Sequence, residues 1–110
     1  MRALWMAVAM GFALLGAGCG ERPADESAHP GEQVYIRYCF SCHAAGVAGA
    51  PRVGDGAAWA ERLQKGRPAL LQSTITGVPP GMPPKGLCTQ CSEEELAAAL
   101  DYMIERSPSP

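Results

Sequence analysis

A cysteine pair followed at once by a histidine is the most chemically specific feature of this 110-residue sequence. It reads Cys39-Phe40-Ser41-Cys42-His43, and this C-x-x-C-H order is the pattern to which a c-type haem is covalently attached. One helical turn spaces the two thiols so that they can add to the two vinyl groups of the porphyrin. The imidazole that follows can then lie under the iron as its proximal ligand. The motif therefore predicts one covalent haem c, with thioethers from Cys39 and Cys42 and axial ligation by His43.

A second C-x-x-C pair, Cys88 and Cys91, leaves other interpretations open. Two cysteine pairs can bind a structural zinc ion, and a single pair can be a thiol redox site. The gap between the pairs is far longer than the roughly 15–20 residues of a zinc ribbon, which disfavours zinc. In an exported protein the expected state of Cys88 and Cys91 is a disulfide, with a redox-active dithiol as the alternative.

The N-terminal segment predicts export to the bacterial periplasm. Residues 1–18 carry one charge, Arg2, ahead of an apolar stretch that is short for a transmembrane helix, as is typical of a secretory signal peptide. Small residues precede Cys19, as they do at the processing site of a lipoprotein. Cys19 is also the cysteine that remains after the two C-x-x-C pairs, and lipidation would give it a function. We therefore expect a lipid anchor on Cys19 that holds the protein to a membrane. An ordinary signal peptide is the alternative.

Residues 19–30 are polar and proline-containing without apolar periodicity, so they are predicted to form a flexible tether in which His29 is solvated. Without the signal peptide the chain keeps eight basic and eleven acidic residues, and these form no basic run. Nucleic-acid binding therefore receives no support.

The methionines predict the second axial ligand. Beyond the signal peptide there are two, Met82 and Met103. Met103 is expected in the core, because it falls on a helical apolar stripe with Leu96, Leu100 and Ile104. Met82 instead lies in the stretch 77–86, where four prolines and three glycines exclude regular structure. By elimination and by setting, Met82 is predicted to complete a His/Met ligation, which raises the haem potential and closes the sixth coordination site.

Two further residues are candidate haem contacts. Pro51 offers a carbonyl on a stiff backbone, to which the other ring N–H of His43 could donate; an ordinary loop proline is the alternative. Trp59 is expected to be a core residue whose indole N–H could also reach a haem propionate.

Helical periodicity predicts an all-α domain over residues 31–106 and a disordered tail over 107–110. The last helix should begin with a capping box formed by Ser92 and Glu95. The predicted helices span 31–39, 57–65, 68–75 and 92–106.

These features resemble a class I cytochrome c, and more narrowly the cytochrome c5 family. The resemblance covers about residues 31–106 and rests on four stretches: 39–51, 82–86, 88–91 and 92–103. It implies a small all-α fold of three to five helices around one haem, with the N- and C-terminal helices crossing. Gly31 and Tyr35 would then lie against residues 100–102, and the family's disulfide would join Cys88 to Cys91.

The resemblance also implies a function. The protein is expected to be an electron carrier rather than an enzyme, cycling between Fe(II) and Fe(III) among transient redox protein partners, with no small-molecule substrate. Four cations could rim the exposed haem edge and steer those partners: Arg52, Lys65, Arg67 and Lys85. Ordinary surface solvation explains all four equally well. The alternative is a haem subunit whose Met82 leaves the iron to admit peroxide or a gas.

Overall fold

The computed structural model describes residues 28–110, so the predicted signal peptide, Cys19 and most of the tether lie outside the described residues. Within 28–110 the regular elements are helical, apart from one isolated β-bridge between Val78 and Met82. None of the helices in this part of the chain is long and apolar enough to cross a membrane. The elements are α1 Glu32–Val34, a π-helical turn Tyr35–Cys39, α2 Phe40–His43, a 3-10 turn Val47–Gly49, α3 Gly56–Leu63, α4 Arg67–Thr76 and α5 Glu93–Glu105. The predicted all-α fold is confirmed.

The first helix is longer than the sequence predicts, because it continues past Cys39 to His43. α1, the π-helical turn and α2 follow one another directly, and the Phe40 N–H donates to the Tyr35 carbonyl five residues earlier. Single π-helical turns are frequent at functional sites. Here the wide turn separates the part of the helix that packs on α5 from the part that carries Cys42 and His43.

The start of this first helix crosses α5 at Gly31. A side chain at Gly31 would collide with the Ala98 carbonyl, so only glycine permits so close an approach of the two backbones. Beside the crossing, the rings of Tyr35 and Tyr102 lie 5.0 Å apart. The expected packing of the terminal helices is therefore present, with Gly31 itself seated against Ala98 and Ala99.

α5 begins with the predicted capping box. The Ser92 hydroxyl accepts the Glu95 N–H, and the Glu95 carboxylate accepts the Ser92 N–H. The apolar face of α5 forms the centre of the main core, which consists of Tyr35, Trp59, Leu100, Tyr102 and Met103. A second cluster contains Leu96 together with Cys88 and Cys91, which form a disulfide.

Helices α3 and α4 begin and end within two residues of their predicted bounds. The Asp55 carboxylate caps α3 by accepting the Ala58 N–H at 3.1 Å. Gly66, with φ +87°, separates the two helices, and Pro68 lies in the first turn of α4, where its missing N–H costs nothing. This short connection brings Trp59 of α3 into the core beside α5.

The prediction that His29 is a solvated tether residue is wrong. Its side chain is 16% exposed, its Nε2 lies 3.2 Å from a Glu105 carboxylate oxygen, and its Nδ1 accepts the Gly31 N–H at 3.0 Å. Its ring also meets the Tyr102 ring edge-on at 5.4 Å. The helix crossing brings the C-terminal end of α5 beside the start of α1, and His29 covers the joint.

Ser107 corrects the predicted boundary of the disordered tail. It is 3% exposed, and its hydroxyl donates to the Met103 carbonyl and accepts the Gly54 N–H, both at 2.8 Å. The next residue, Pro108, places its carbonyl against Gly56, where a β-carbon would collide. The chain end therefore closes over the start of α3, a contact between segments too distant in sequence for periodicity to predict.

We expect Ser107→Ala to destabilise the domain by about 1–3 kcal/mol, because it removes both hydrogen bonds of a buried hydroxyl, one to the Met103 carbonyl and one from the Gly54 N–H. The free energy of unfolding in guanidinium chloride measures this loss. Ser109→Ala in the exposed tail is the matched control and should stay within about 0.5 kcal/mol of the wild type. Equal stability of both variants would contradict the bridging role of Ser107.

Arg67 and Asp101 join α4 to α5 by a two-pronged ion pair. The Arg67 Nε and one terminal nitrogen donate to the two Asp101 oxygens at 2.6 and 2.7 Å. This hydrogen bonding holds the pKa of the Asp101 carboxyl below its ordinary value of 3.8. Both side chains remain more than a third exposed, so the pair is well screened by solvent.

Asp101→Asn should therefore lower the free energy of unfolding at neutral pH by no more than about 1 kcal/mol. A carboxyl whose pKa falls on folding adds stability that is fully present above pH 3.8 and is lost as the pH falls through the lower, folded value. Unfolding curves from pH 7 to pH 2 should thus converge for wild type and variant at the acid end. A difference that persists there would point to a packing effect instead.

Candidate haem site

A cavity of about 220 Å³ lies between the C-terminal part of the first helix and the methionine loop, residues 77–86. Its lining is mostly apolar and includes Cys39, Cys42, His43 and Met82. A second cavity of about 180 Å³ opens beside it and shares His43 and Met82 in its lining. The four residues predicted to hold the haem belong to two stretches that are distant in sequence. The structure brings these two stretches together at one cavity.

The two thiols of the C-x-x-C-H motif are free, unlike those of Cys88 and Cys91. Burial, with a smaller contribution from Cys42, raises the pKa of the Cys39 thiol to about 11. A disulfide cannot ligate zinc, and residues 28–110 contain no group of three or more His, Cys, Asp or Glu side chains placed to hold a metal ion. The second cysteine pair therefore does not combine with the first in a zinc site.

His43 is oriented by Pro51. Its ring is 7% exposed, and Nδ1 lies 2.8 Å from the Pro51 carbonyl, which can only accept, so Nδ1 carries the proton. Burial lowers the pKa of His43; the Pro51 hydrogen bond opposes this shift, and the Arg62 charge adds to it. Nε2 has no hydrogen-bond partner among residues 28–110 and keeps a lone pair that a metal can accept. The carbonyl contact expected from the sequence is thus present.

Trp59 supports the same ring from the side. It is 2% exposed and stacks on His43, with the ring centroids 6.0 Å apart and the planes inclined by 29°. Its indole N–H donates to the Arg52 carbonyl at 3.0 Å. This single N–H is therefore already engaged by the backbone between His43 and α3, and its use for a haem propionate stays a prediction.

The methionine loop is held in place by its own backbone. Val78 and Met82 exchange N–H···O bonds of 2.8 and 2.9 Å, which close a tight turn around the intervening residues. Two further bonds fasten the loop: the Lys85 N–H donates to the Thr74 carbonyl at 2.8 Å, and Lys85 Nζ donates to the Cys91 carbonyl at 3.2 Å. Met82 therefore reaches the cavity from a braced loop, which connects directly to the disulfide.

Met103 and Arg62 are among the residues of the site that were not predicted from the sequence. Met103, expected as core only, is 3% exposed and also lines both cavities. Arg62 lines both cavities too, and it donates to the Ala58 and Gly49 carbonyls at 3.0 and 3.4 Å. The sequence feature that could have indicated Arg62 as a site residue is its position three residues after Trp59, which places both side chains on one face of a helix.

These residues fit a covalent haem c. The cavity offers two free thiols at the spacing of one helical turn, an oriented imidazole and a methionine sulfur, within an apolar lining. Arg62 and Lys65 supply cations at the second cavity that can pair with the two carboxylates that a haem carries. Of the four predicted rim cations, Lys65 and Lys85 each line one cavity, whereas Arg52 and Arg67 line neither. Arg67 is instead paired with Asp101.

Comparison with known proteins agrees with this geometry. The family model described as cytochrome C oxidase, cbb3-type, subunit III matches residues 26–103. Cytochrome c5 of Ectopseudomonas mendocina is 44% identical over 89 residues, which cover 79% of this chain and 93% of that protein. Cytochrome c5 of Azotobacter vinelandii is 44% identical over 78 residues, covering 69% and 93% respectively.

A solved electron transfer complex of nitrite reductase with cytochrome c contains a chain that matches this one with a TM-score of 0.66 and 42% identity, covering 73% of this chain and 96% of that one. Sequence and structure matches thus reach the same class of protein, and they span nearly the full length of the proteins matched. The chain belongs to the cytochrome c family, as a class I electron-transfer cytochrome close to cytochrome c5 that carries one covalently bound haem c.

Proposed function

We propose that this protein is a monohaem electron carrier of the bacterial periplasm and not an enzyme. Cys39 and Cys42 form the haem thioethers, and His43 and Met82 are the axial ligands. The observation that carries this proposal is that His43, Met82 and both free thiols line one apolar cavity.

Haem supplies one-electron chemistry between Fe(II) and Fe(III). The protein's own residues keep the surroundings of the haem unchanged while the electron is transferred. Pro51 and Trp59 hold the His43 ring on two sides, and the bridge from Val78 holds Met82. Because both ligand positions are braced, little should move when the charge on the site changes. Leu96 and Ala99 of α5, each 1% exposed, close the wall of the cavity against water.

The partners are proposed to be redox proteins that bind transiently. A chain 42% identical to this one is known in an electron transfer complex with nitrite reductase, which supports a protein partner of this kind.

We further propose that residues 1–18 direct export, that lipid on Cys19 anchors the chain, and that residues 19–30 join the anchor to the domain 31–106. Mass spectrometry of the mature protein tests the anchor, and an unacylated N-terminus would contradict it.

Visible spectra of the matured protein test the axial ligands directly. We expect a c-type reduced spectrum that does not change under carbon monoxide, because a bound Met82 closes the sixth site. The oxidised protein should show the weak far-red band of ferric iron bonded to a thioether. A prompt spectral change under carbon monoxide would show an open or labile sixth site, and catalysis or gas sensing would then replace electron transfer as the function.

A further inference from the structure

Two residues in the wall of the larger cavity adopt a backbone conformation that usually requires glycine. Within residues 28–110, Ala48 and Lys85 are the only residues other than glycine with a positive φ, at +53° and +60° respectively. Both line the larger cavity. A side chain in this left-handed region strains the backbone, and such strain persists only where surrounding contacts hold it, most often at functional sites. The contacts of Lys85 therefore indicate what its strained conformation is used for.

Lys85 is held through both its backbone and its side chain. Its N–H donates to the Thr74 carbonyl at 2.8 Å in the last turn of α4, and its carbonyl accepts the Cys88 N–H at 3.1 Å. Its Nζ donates to the Cys91 carbonyl at 3.2 Å, two residues before α5 begins. Glycine would adopt this backbone without strain, but it has no side chain that could reach Cys91. Lys85 thus ties the methionine loop to the end of one helix and to the start of another.

Two prolines pass the position of Lys85 on to Met82. Pro83 and Pro84 separate the two residues, and the ring of each proline fixes its φ near −65°. On the other side of Met82, the backbone bonds to Val78 fix the first half of the loop. If the contacts of Lys85 were lost, the second half of the loop could move away from the helices and carry Met82 with it.

We propose that Lys85 is a positioning residue for Met82, which it keeps from leaving the iron by tying the methionine loop to α4 and α5. Its side chain is only partly exposed, and the ammonium group engages a backbone carbonyl of the same chain. A hydrogen bond from a charged donor is roughly twice as strong as one between neutral groups, which suits this role. The inference rests on the proposed function, because it requires Met82 to be an axial ligand.

Carbon monoxide binding to the reduced holoprotein measures how firmly the loop holds Met82, because the gas binds the iron only after the sulfur has left. The spectrum is recorded at a fixed carbon monoxide concentration while guanidinium chloride is raised to just below the unfolding transition, where local opening precedes global unfolding. Lys85→Ala keeps a side chain at the strained position and removes only the contact to Cys91. We expect it to raise the equilibrium constant for displacement of Met82 about tenfold, the effect of losing one charge-assisted hydrogen bond.

Two further variants separate the contact from the charge. Lys85→Arg keeps a cationic donor that can reach the Cys91 carbonyl, so it should stay within about threefold of the wild type. Arg37→Gln is the matched control for charge, because Arg37 is exposed and lines neither cavity. It should also stay within about threefold, since solvent and salt screen a distant exposed charge.

Equal displacement of Met82 in the wild type and Lys85→Ala would overturn the proposal, and Lys85 would then be a surface cation only. An equally large effect of Lys85→Arg or of Arg37→Gln would also overturn it, because neither variant removes the donor to Cys91. A wild type that binds carbon monoxide without denaturant refutes the proposed function itself. A wild type closed to the gas, together with an unresponsive Lys85→Ala, refutes the role of Lys85 alone.

Discussion

Replacing Met82 with alanine is expected to open the sixth coordination site of the haem. The reduced variant should bind carbon monoxide promptly, and the far-red band of the oxidised form should disappear. The reduction potential of the haem should fall by on the order of 0.1 V, because methionine ligation raises this potential. Different axial ligands change haem potentials over a range of about 0.8 V. Spectra with and without carbon monoxide and a potentiometric titration measure these changes.

Met103→Leu is the matched control for this prediction. Met103 lines both cavities as Met82 does, but it is packed in the main core with Tyr35 and Trp59. Leucine nearly conserves its volume, so the variant should lose less than about 1.5 kcal/mol and remain unreactive toward carbon monoxide. If Met103→Leu opens the site and Met82→Ala does not, then Met103 is the ligand and the sequence-based choice between the two is wrong.

Replacing Gly31 with alanine is expected to cost about 3 kcal/mol, near the upper end of the usual cost of overpacking. The added methyl group would collide with the carbonyl of Ala98, and a backbone group cannot rotate away as a side chain can. The terminal helices would have to separate, which would also disturb the contact between Tyr35 and Tyr102. Unfolding in guanidinium chloride measures this loss of stability. If the separated helices bury less surface, the free energy of unfolding should also depend less steeply on the denaturant concentration.

Gly49→Ala separates this steric effect from backbone strain. Gly49 has φ +80° and no protein atom within 4 Å of the added methyl group, so its cost should be about 1 kcal/mol from the backbone conformation. Gly31 has φ −85°, a value that alanine adopts freely, so any loss there comes from the crossing. A Gly31→Ala protein as stable as Gly49→Ala would mean that the helices can part at little cost.

Much of this protein could be predicted from its sequence because the chemistry lies in short, contiguous stretches. Covalent haem attachment needs two thiols and an imidazole at neighbouring positions, so Cys39, Cys42 and His43 are enough to indicate it. The capping box at Ser92 is equally local. The apolar stripe of α5 follows from helical periodicity, which is a property of the chain itself. The all-α fold and the class of cofactor were therefore predicted correctly.

The tertiary structure alone decided the partners of several other polar groups. The Trp59 N–H met the Arg52 carbonyl, and the Ser107 hydroxyl met Gly54, 53 residues away. His29 gained Tyr102 and Glu105 only because the terminal helices cross. Hydrogen bonds and ring contacts act over a few ångströms, so they depend on how distant segments come together and leave no periodic trace in the sequence. The sequence by itself determined what chemistry the chain carries, and the packing of its helices determined which side chains surround that chemistry.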